Sequence, residues 1–408
     1  MKSVSARFLE LVQYDTQSDE HSDSYPSTEA QLVLAKKLAE ECRAIGLEDV
    51  ECNEHGYVIA TLPSNTTTEA PTIGFLAHMD TSPDAAGGPV NARIIEQYDG
   101  GDIILDQESS IILSPDEFPH LQNYVKQDII VTDGKTLLGA DNKAGIAEIL
   151  AAMEYFIKNP DVPHGRIRIA FTPDEEIGRG VNHFDVKKFG ADFAYTIDGG
   201  EIGELESETF NAAQATFTIK GKSVHPGTSK GIMKNASIMA GEIIAAFPPT
   251  ETPAHTEGRE GFYHLADLQS EVGRGHITYI LRDFDAEGLV RRKEFVQSVA
   301  TEMNRKHGEG TVEVKVHDQY RNMSEILKDH QHIIQLAHEA MKEAGITAIM
   351  KPVRGGTDGA RLSFMGLPCP NIFAGGHNFH GPYEYIPIPS MEAAVQVIIN
   401  ICKRGVSK

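Results

Sequence analysis

Basic residues are scarce in this sequence beside acidic ones. Its 37 lysines and arginines stand against 59 aspartates and glutamates, a formal net charge of −22. A surface that negative repels phosphate backbones and anionic lipid, so neither nucleic acid nor a membrane surface is expected as a partner. Long apolar runs are missing as well: no stretch approaches the ~20 apolar residues of a bilayer span. The opening MKSVSARFLELVQYDTQ places polar and acidic residues where a secretory leader needs an apolar segment, so the expected location is the cytoplasm. Cysteine is limited to Cys42, Cys52, Cys369 and Cys402, with no Cys-x-x-Cys spacing. That argues against a disulfide framework, a thiolate zinc clip and a redox pair. Repeats and low-complexity tracts are absent too.

What is present fits a soluble globular chain: 408 residues, 40% hydrophobic and 24% charged, long enough for two domains. Thr28-x-x-Gln31 reads as a capping box opening a helix that stops at Gly46. Short apolar runs at 56–62, 72–77, 128–132, 166–172 and 193–197 alternate with helical stretches at 142–158 and 182–189. Such interleaving predicts an α/β fold with a mixed, mostly parallel, helix-covered sheet. The texture changes after Gly199-Gly200. Strands at 213–220, 276–284 and 311–317, with helices near 234–247 and 286–307, give a βαββαβ-like order that predicts an inserted smaller α+β sandwich domain. A final helix is expected at 390–403. The expected division is a catalytic domain in two segments, 1–206 and 321–408, around an inserted domain at 207–320.

Four of the strand-like runs end in metal-ligand residue types. TIGFLAHMD ends in His78-x-Asp80, TLLGADNKAG presents Asp141 at a helix start, RIRIAFTPDEE ends in Asp174-Glu175-Glu176, and FAYTIDGG supplies Asp198. In an open α/β sheet the carboxyl ends of strands converge on one crevice, so residues far apart in sequence can meet there. Alternation puts His78 and Asp80 on one side of an extended segment, with Asp80 placed to hold the imidazole. One histidine among carboxylates, without thiolate, suits zinc, manganese or cobalt. Taken singly, each motif has a plainer reading: a chance His-x-Asp, a solvated acidic corner, a helix cap at Asp141, a turn at Asp198. The four together, all at strand ends, favour a site.

The segments LAHMDT, LLGADNKAGIAEI, TPDEEIGRG, YTIDGG, GKSVHPG, RGGTDGARLS and GGHNFHGPYEY resemble the M20 metallopeptidase family, in order and over nearly the whole chain. The resemblance implies a zinc-peptidase-like fold and two divalent metal ions per chain, most often zinc, with cobalt or manganese as options. It implies His78 and Asp198 on one ion, Glu176 and His380 on the other, and Asp141 bridging both. Glu175 would be the general base and Asp80 would orient His78. The sequence alone leaves His377 and His380 both open as ligand; the family motif selects His380. Asn142 stands where many relatives carry a second aspartate. Arg282 and Arg354 are candidate forks for a peptide carboxylate, and His225 matches an inserted-domain histidine that assists at the oxyanion. The expected activity is release of the N-terminal residue of small peptides, in particular tripeptides. A related dipeptidase or N-acyl-amino-acid deacylase shares the same centre, and a non-catalytic binding protein on this fold is the alternative of another class. The inserted domain is expected to act as a lid, and a homodimer through it stays open.

Overall fold

The computed structural model describes residues 2–406. The chain divides into two compact units: Met1–Ser207, Met323–Lys351 and Thr357–Lys408 form the first, Glu208–Asn322 with Pro352–Gly356 the second. The short excursion 352–356 lies within the stretch that the sequence pattern assigns to the catalytic domain. It sits in the second unit because Val353 bridges Thr209 and Arg354 is bonded to residues 256–260.

The first unit is built on an eight-stranded mixed sheet. Its order is Glu48–Cys52, Val58–Leu62, Ile167–Thr172, Ile73–His78, Phe193–Gly199, Asn371–Phe373, Glu204–Glu206 and Ile349–Met350. The middle strands, from Ile167–Thr172 to Asn371–Phe373, run parallel. Ile73–His78 and Ile167–Thr172 are buried at every position, as expected of strands covered on both faces. Alternation along Ile73–His78 divides the two cores. Phe75 and Ala77 join the helices Val4–Leu11, Glu29–Ile45, Ala140–Lys158 and Ile388–Arg404, while Leu76 packs with Ala170, Phe189 and Leu362 on the other side. Each fully buried Leu or Phe side chain contributes roughly 1.5–3 kcal/mol. Because His78 pairs with Thr172 in the parallel ladder, the chain leaves both strands at one edge, where Asp198 also emerges.

The second unit is a four-stranded antiparallel sheet in the order Phe262–Ser270, Arg274–Asp283, Asn211–Lys220, Val312–Tyr320. Helices Ala236–Ala246 and Ala286–His307 bury one face of it. The longer helix is punctuated by its own chemistry: the Asp285 side chain accepts from Gly288 N at the start, and Arg305, Lys306 and His307 meet the carbonyl end. Strand Phe262–Ser270 escapes the sequence pattern because it lies at the sheet edge with most of its residues exposed. Among the described residues no helix is long and apolar enough to cross a membrane.

One local expectation is corrected. Helix Glu29–Ile45 ends at Gly46 with φ of 101°, as its C-terminal glycine suggests, but Thr28 makes no side-chain capping bond. Its hydroxyl donates instead to Gln17 O, while Gln31 Nε2 donates both to Thr28 Oγ1 at 3.1 Å and to Asp174 Oδ1 at 2.7 Å.

Candidate metal centre

His78 closes its strand with a ring only 2% exposed. Its Nδ1 faces Asp80, 3.4 Å from Oδ1 and 3.1 Å from the main-chain oxygen, which orients the ring. Nε2 points the other way, 2.8 Å from Asp141 Oδ1 and 3.3 Å from Asp198 Oδ1. Asp141 stands at the head of helix Ala140–Lys158 with φ −84° and ψ 101°, outside helical values, so its carboxylate leaves the helix axis. Its second oxygen, Oδ2, lies 3.2 Å from His380 Nε2, and Glu176 Oε2 approaches the same nitrogen to 3.0 Å. Two ligand groups result, His78–Asp141–Asp198 and Asp141–Glu176–His380, each with its ligating atoms within 4.8 Å of one another. Asp141 belongs to both and lends one oxygen to each.

The acidic run 174–176 separates into three roles. Asp80 is fully buried, and its two oxygens accept the main-chain N–H groups of Glu175 (3.0 Å) and Glu176 (3.1 Å). One carboxylate thereby orients His78 and pins the turn carrying both glutamates. Glu176 reaches the second group, while Glu175 Oε2 stays 3.9 Å from His78 Nε2, beside the first. Asp174 points away from them. It accepts from Ser27 N (2.7 Å), Ser27 Oγ (2.5 Å) and Gln31 Nε2 (2.7 Å), and its own N–H donates to Gln31 Oε1. This carboxylate fastens the acidic turn to the segment that starts helix Glu29–Ile45.

The charges are crowded. Burial pushes the Glu175 carboxyl well up, with Asp198, Asp358 and Glu176 adding repulsion. Burial and Asp141 raise Glu176 to about 8, and burial raises Asp198 to about 6. Burial disfavours charge on His78 and His380, yet neighbouring carboxylates outweigh it and hold both imidazoles above their ordinary range, His380 at about 12. The cluster thus seeks positive charge. Glu176 Oε1 is in addition buried without a hydrogen-bond partner among the described residues, so its desolvation is not offset there. One histidine and two carboxylates per group, with an orphaned carboxylate oxygen, fit a pair of divalent cations.

His377 is placed elsewhere. Its ring stacks on Tyr385 and His120, Tyr124 Oη lies 2.6 Å from its Nε2, and burial lowers it to about 3. His380 reaches the cluster from a loop in which Asn378 and His380 have φ of 55° and 64°. Asn142 Oδ1 accepts from Gly145 N at 3.2 Å, so its side chain caps the helix body.

The profile of peptidase family M20/M25/M40 matches residues 131–404. Peptidase T of Caldanaerobacter subterraneus subsp. tengcongensis is 56% identical over 98% of both chains. This chain belongs to peptidase family M20/M25/M40. It is accordingly an enzyme that hydrolyses peptide bonds. Solved M20-type structures share its fold. An aminopeptidase PepT of Bacillus cereus matches with a TM-score of 0.74 and a tripeptidase of Staphylococcus aureus with 0.76, each 24% identical over 99% of this chain and 98% of the other. A dinuclear metal-binding M20 peptidase of Bacillus subtilis matches with a TM-score of 0.66 at 16% identity over 99% and 98%.

The residues expected to bind substrate lie in the second unit. Arg354 is engaged by loop 256–260. Its Nη1 donates to Gly258 O and Glu260 O at 3.0 Å, Nη2 donates to Thr256 Oγ1 at 2.8 Å, and the guanidinium lies over the Phe210 and Phe262 rings. Those contacts make it a brace for loop 256–260. Arg282 lies over Tyr320 and donates to Leu281 O and Gln319 Oε1, with no carboxylate partner among the described residues. His225 is exposed, and its Nδ1 accepts from Gly227 N at 3.1 Å, which turns Nε2 outward as a donor. Two acids near the centre have no motif of their own. Asp84 Oδ2 lies 3.0 Å from His380 Nδ1, the counterpart of Asp80 at His78. Glu384 accepts main-chain N–H groups from the turn that carries Asp141. Asp84's place four residues after Asp80, and Glu384's four after His380, were the only cues in sequence.

Proposed function

We propose that this enzyme releases the N-terminal residue of tripeptides at a centre of two divalent cations, zinc in the first instance. The observation that carries the reading is the division of Asp141, with Oδ1 2.8 Å from His78 Nε2 and Oδ2 3.2 Å from His380 Nε2. His78, Asp141 and Asp198 would hold one ion, and Asp141, Glu176 and His380 the other. When bound, such ions polarise the scissile carbonyl and bring the pKa of a water from 15.7 towards about 7, as zinc does in its best-known case. They also compensate the carboxylates, which otherwise could not all ionise side by side.

Glu175 is the proposed general base. Its main chain is pinned through Asp80, and its free carboxylate stands beside the first group without belonging to either set of ligands. Oε2 would take the proton of the attacking water and return it to the leaving amine. Asp80 keeps the His78 proton on Nδ1, so that Nε2 presents its lone pair. Exposed His225, with Nε2 as donor, is proposed to assist the oxyanion, and Arg282, a guanidinium lacking an acidic partner among the described residues, to receive a peptide carboxylate. A cytoplasmic location, argued from the polar opening of the sequence, belongs to the same proposal, as do a lid role for the second unit and a homodimer through it, which rest on family resemblance.

The test is a panel of di-, tri- and tetrapeptides, free and N-acetylated, assayed with chelator and after return of zinc, cobalt or manganese. Metal-dependent release of the first residue from free tripeptides is expected. Hydrolysis confined to acetylated peptides would point to a deacylase instead.

A further inference from the structure

The segment carrying His380 ends in a carboxylate used by neither ligand group. Glu384 is 1% exposed. Its Oε2 accepts the N–H groups of Leu138 (2.6 Å) and Gly139 (2.9 Å), and Oε1 accepts that of Asp141 (3.2 Å). These donors form the turn that delivers Asp141, and Gly139 within it has φ of 82°, so the turn's conformation is not one an ordinary extended strand supplies. At its other end the loop is closed on itself. His377 and Tyr385 exchange main-chain hydrogen bonds, Asn378 Nδ2 donates to Tyr383 O, and Glu384 N donates to Gly381 O. Strand Tyr385–Pro387 then anchors the segment against Ile129–Val131.

We infer that Glu384 is a positioning residue for the metal pair: by holding the 138–141 turn from the His380 loop, it fixes the shared carboxylate of Asp141 relative to His380. The reasoning is geometric. An ion between Asp141 and His380 needs both donors placed at once, and among the described residues no side chain other than Glu384 ties the two segments through the main chain of Asp141. Charge-assisted bonds from main-chain N–H groups are short and directional, so they set position more tightly than packing would. Partners of this kind typically change metal affinity by ~10–100-fold. The ligands themselves are untouched by the change.

The inference rests on the two-metal reading, and its test separates the two. Wild type, Glu384→Gln and Glu384→Asp are stripped with chelator and titrated calorimetrically with zinc alone, and with cobalt alone followed by absorbance. Far-UV circular dichroism gives the folded fraction, and thermal unfolding is recorded without metal. The amide keeps the shape of Glu384 but turns a donor towards N–H donors; the shorter Asp keeps the charge and cannot span the same distance. Both variants, or Asp alone if Gln does not fold, are expected to bind ~10–100-fold more weakly per folded molecule at both ions. Wild-type affinity in a folded variant overturns the inference, even if the metal-free protein unfolds earlier, since that pattern is a structural role only. A wild type that takes up no ion sinks the metal reading, and this inference with it.

Discussion

Gly145 offers the sharpest test of how the centre is assembled. It lies in the first turns of helix Ala140–Lys158, where three ligand-bearing segments meet. A Cβ built there falls 2.1 Å from Ile197 O, 2.4 Å from Asn142 Oδ1 and 3.2 Å from Ala77 Cβ. Ile197 precedes Asp198, Asn142 follows Asp141 and Ala77 precedes His78. Ordinary contact begins near 3.4 Å, so in Gly145→Ala helix and strand must part by about 1.3 Å, because the nearest atom, Ile197 O, is main chain and cannot swing aside. Overpacking of this kind costs roughly 1–3 kcal/mol of stability, which leaves the chain folded. A 1 Å misplacement at a reacting centre costs ~100-fold in rate, equal to about 2.7 kcal/mol of transition-state stabilisation. The variant should therefore keep its far-UV circular dichroism and lose at least ~100-fold in kcat/KM on a free tripeptide at saturating metal. A folded Gly145→Ala within threefold of wild type would refute the claim that this contact spaces the ligands.

Glu175→Gln should abolish turnover while metal analysis still finds the wild-type content; substantial residual activity contradicts the general-base role. His380→Ala should lose one ion, whereas His377→Ala should keep both, and the reverse result would reassign the ligand. His377 also predicts a pH effect. Burial depresses it to about 3 from an unfolded value near 6.5, so the unfolded chain takes up its proton first and stability falls as pH drops below 6.5. In metal-free protein, between pH 6 and 5, His377→Asn should flatten that loss by up to ~1.4 kcal/mol per pH unit; an unchanged slope in denaturant titrations would contradict it. Arg354→Ala should open loop 256–260 to proteolysis, and resistance to protease combined with a raised KM would point to Arg354 as a substrate fork.

The candidate ligands were legible largely because strand ends are marked by an apolar run giving way to His or acid. His78, Glu176 and Asp198 could be picked out that way, Asp141 by its place at a helix head, and His380 by its motif. What could not be read depended on partners without a side-chain signature. Arg354 spends its donors on carbonyls 94 and 96 residues away, and any residue carries a carbonyl. Glu384 likewise binds main-chain N–H groups more than 240 residues distant. Asp174 illustrates a different limit. Its position in an acidic run suggested a solvated corner, yet its partners are Ser27 and Gln31, the latter read in sequence as part of a helix cap. The edge strand Phe262–Ser270 was hidden by exposure, since most of its residues lack the apolar marking that burial imposes.

The central claim is that one carboxylate serves two ions. Its most direct measurement is the zinc stoichiometry of chelator-stripped wild type and Asp141→Asn by calorimetric titration, with circular dichroism confirming the fold. Two ions per wild-type chain and a loss of high-affinity binding at both in Asp141→Asn are predicted. A single ion in wild type, or an Asp141→Asn variant that still binds two ions tightly, would contradict it.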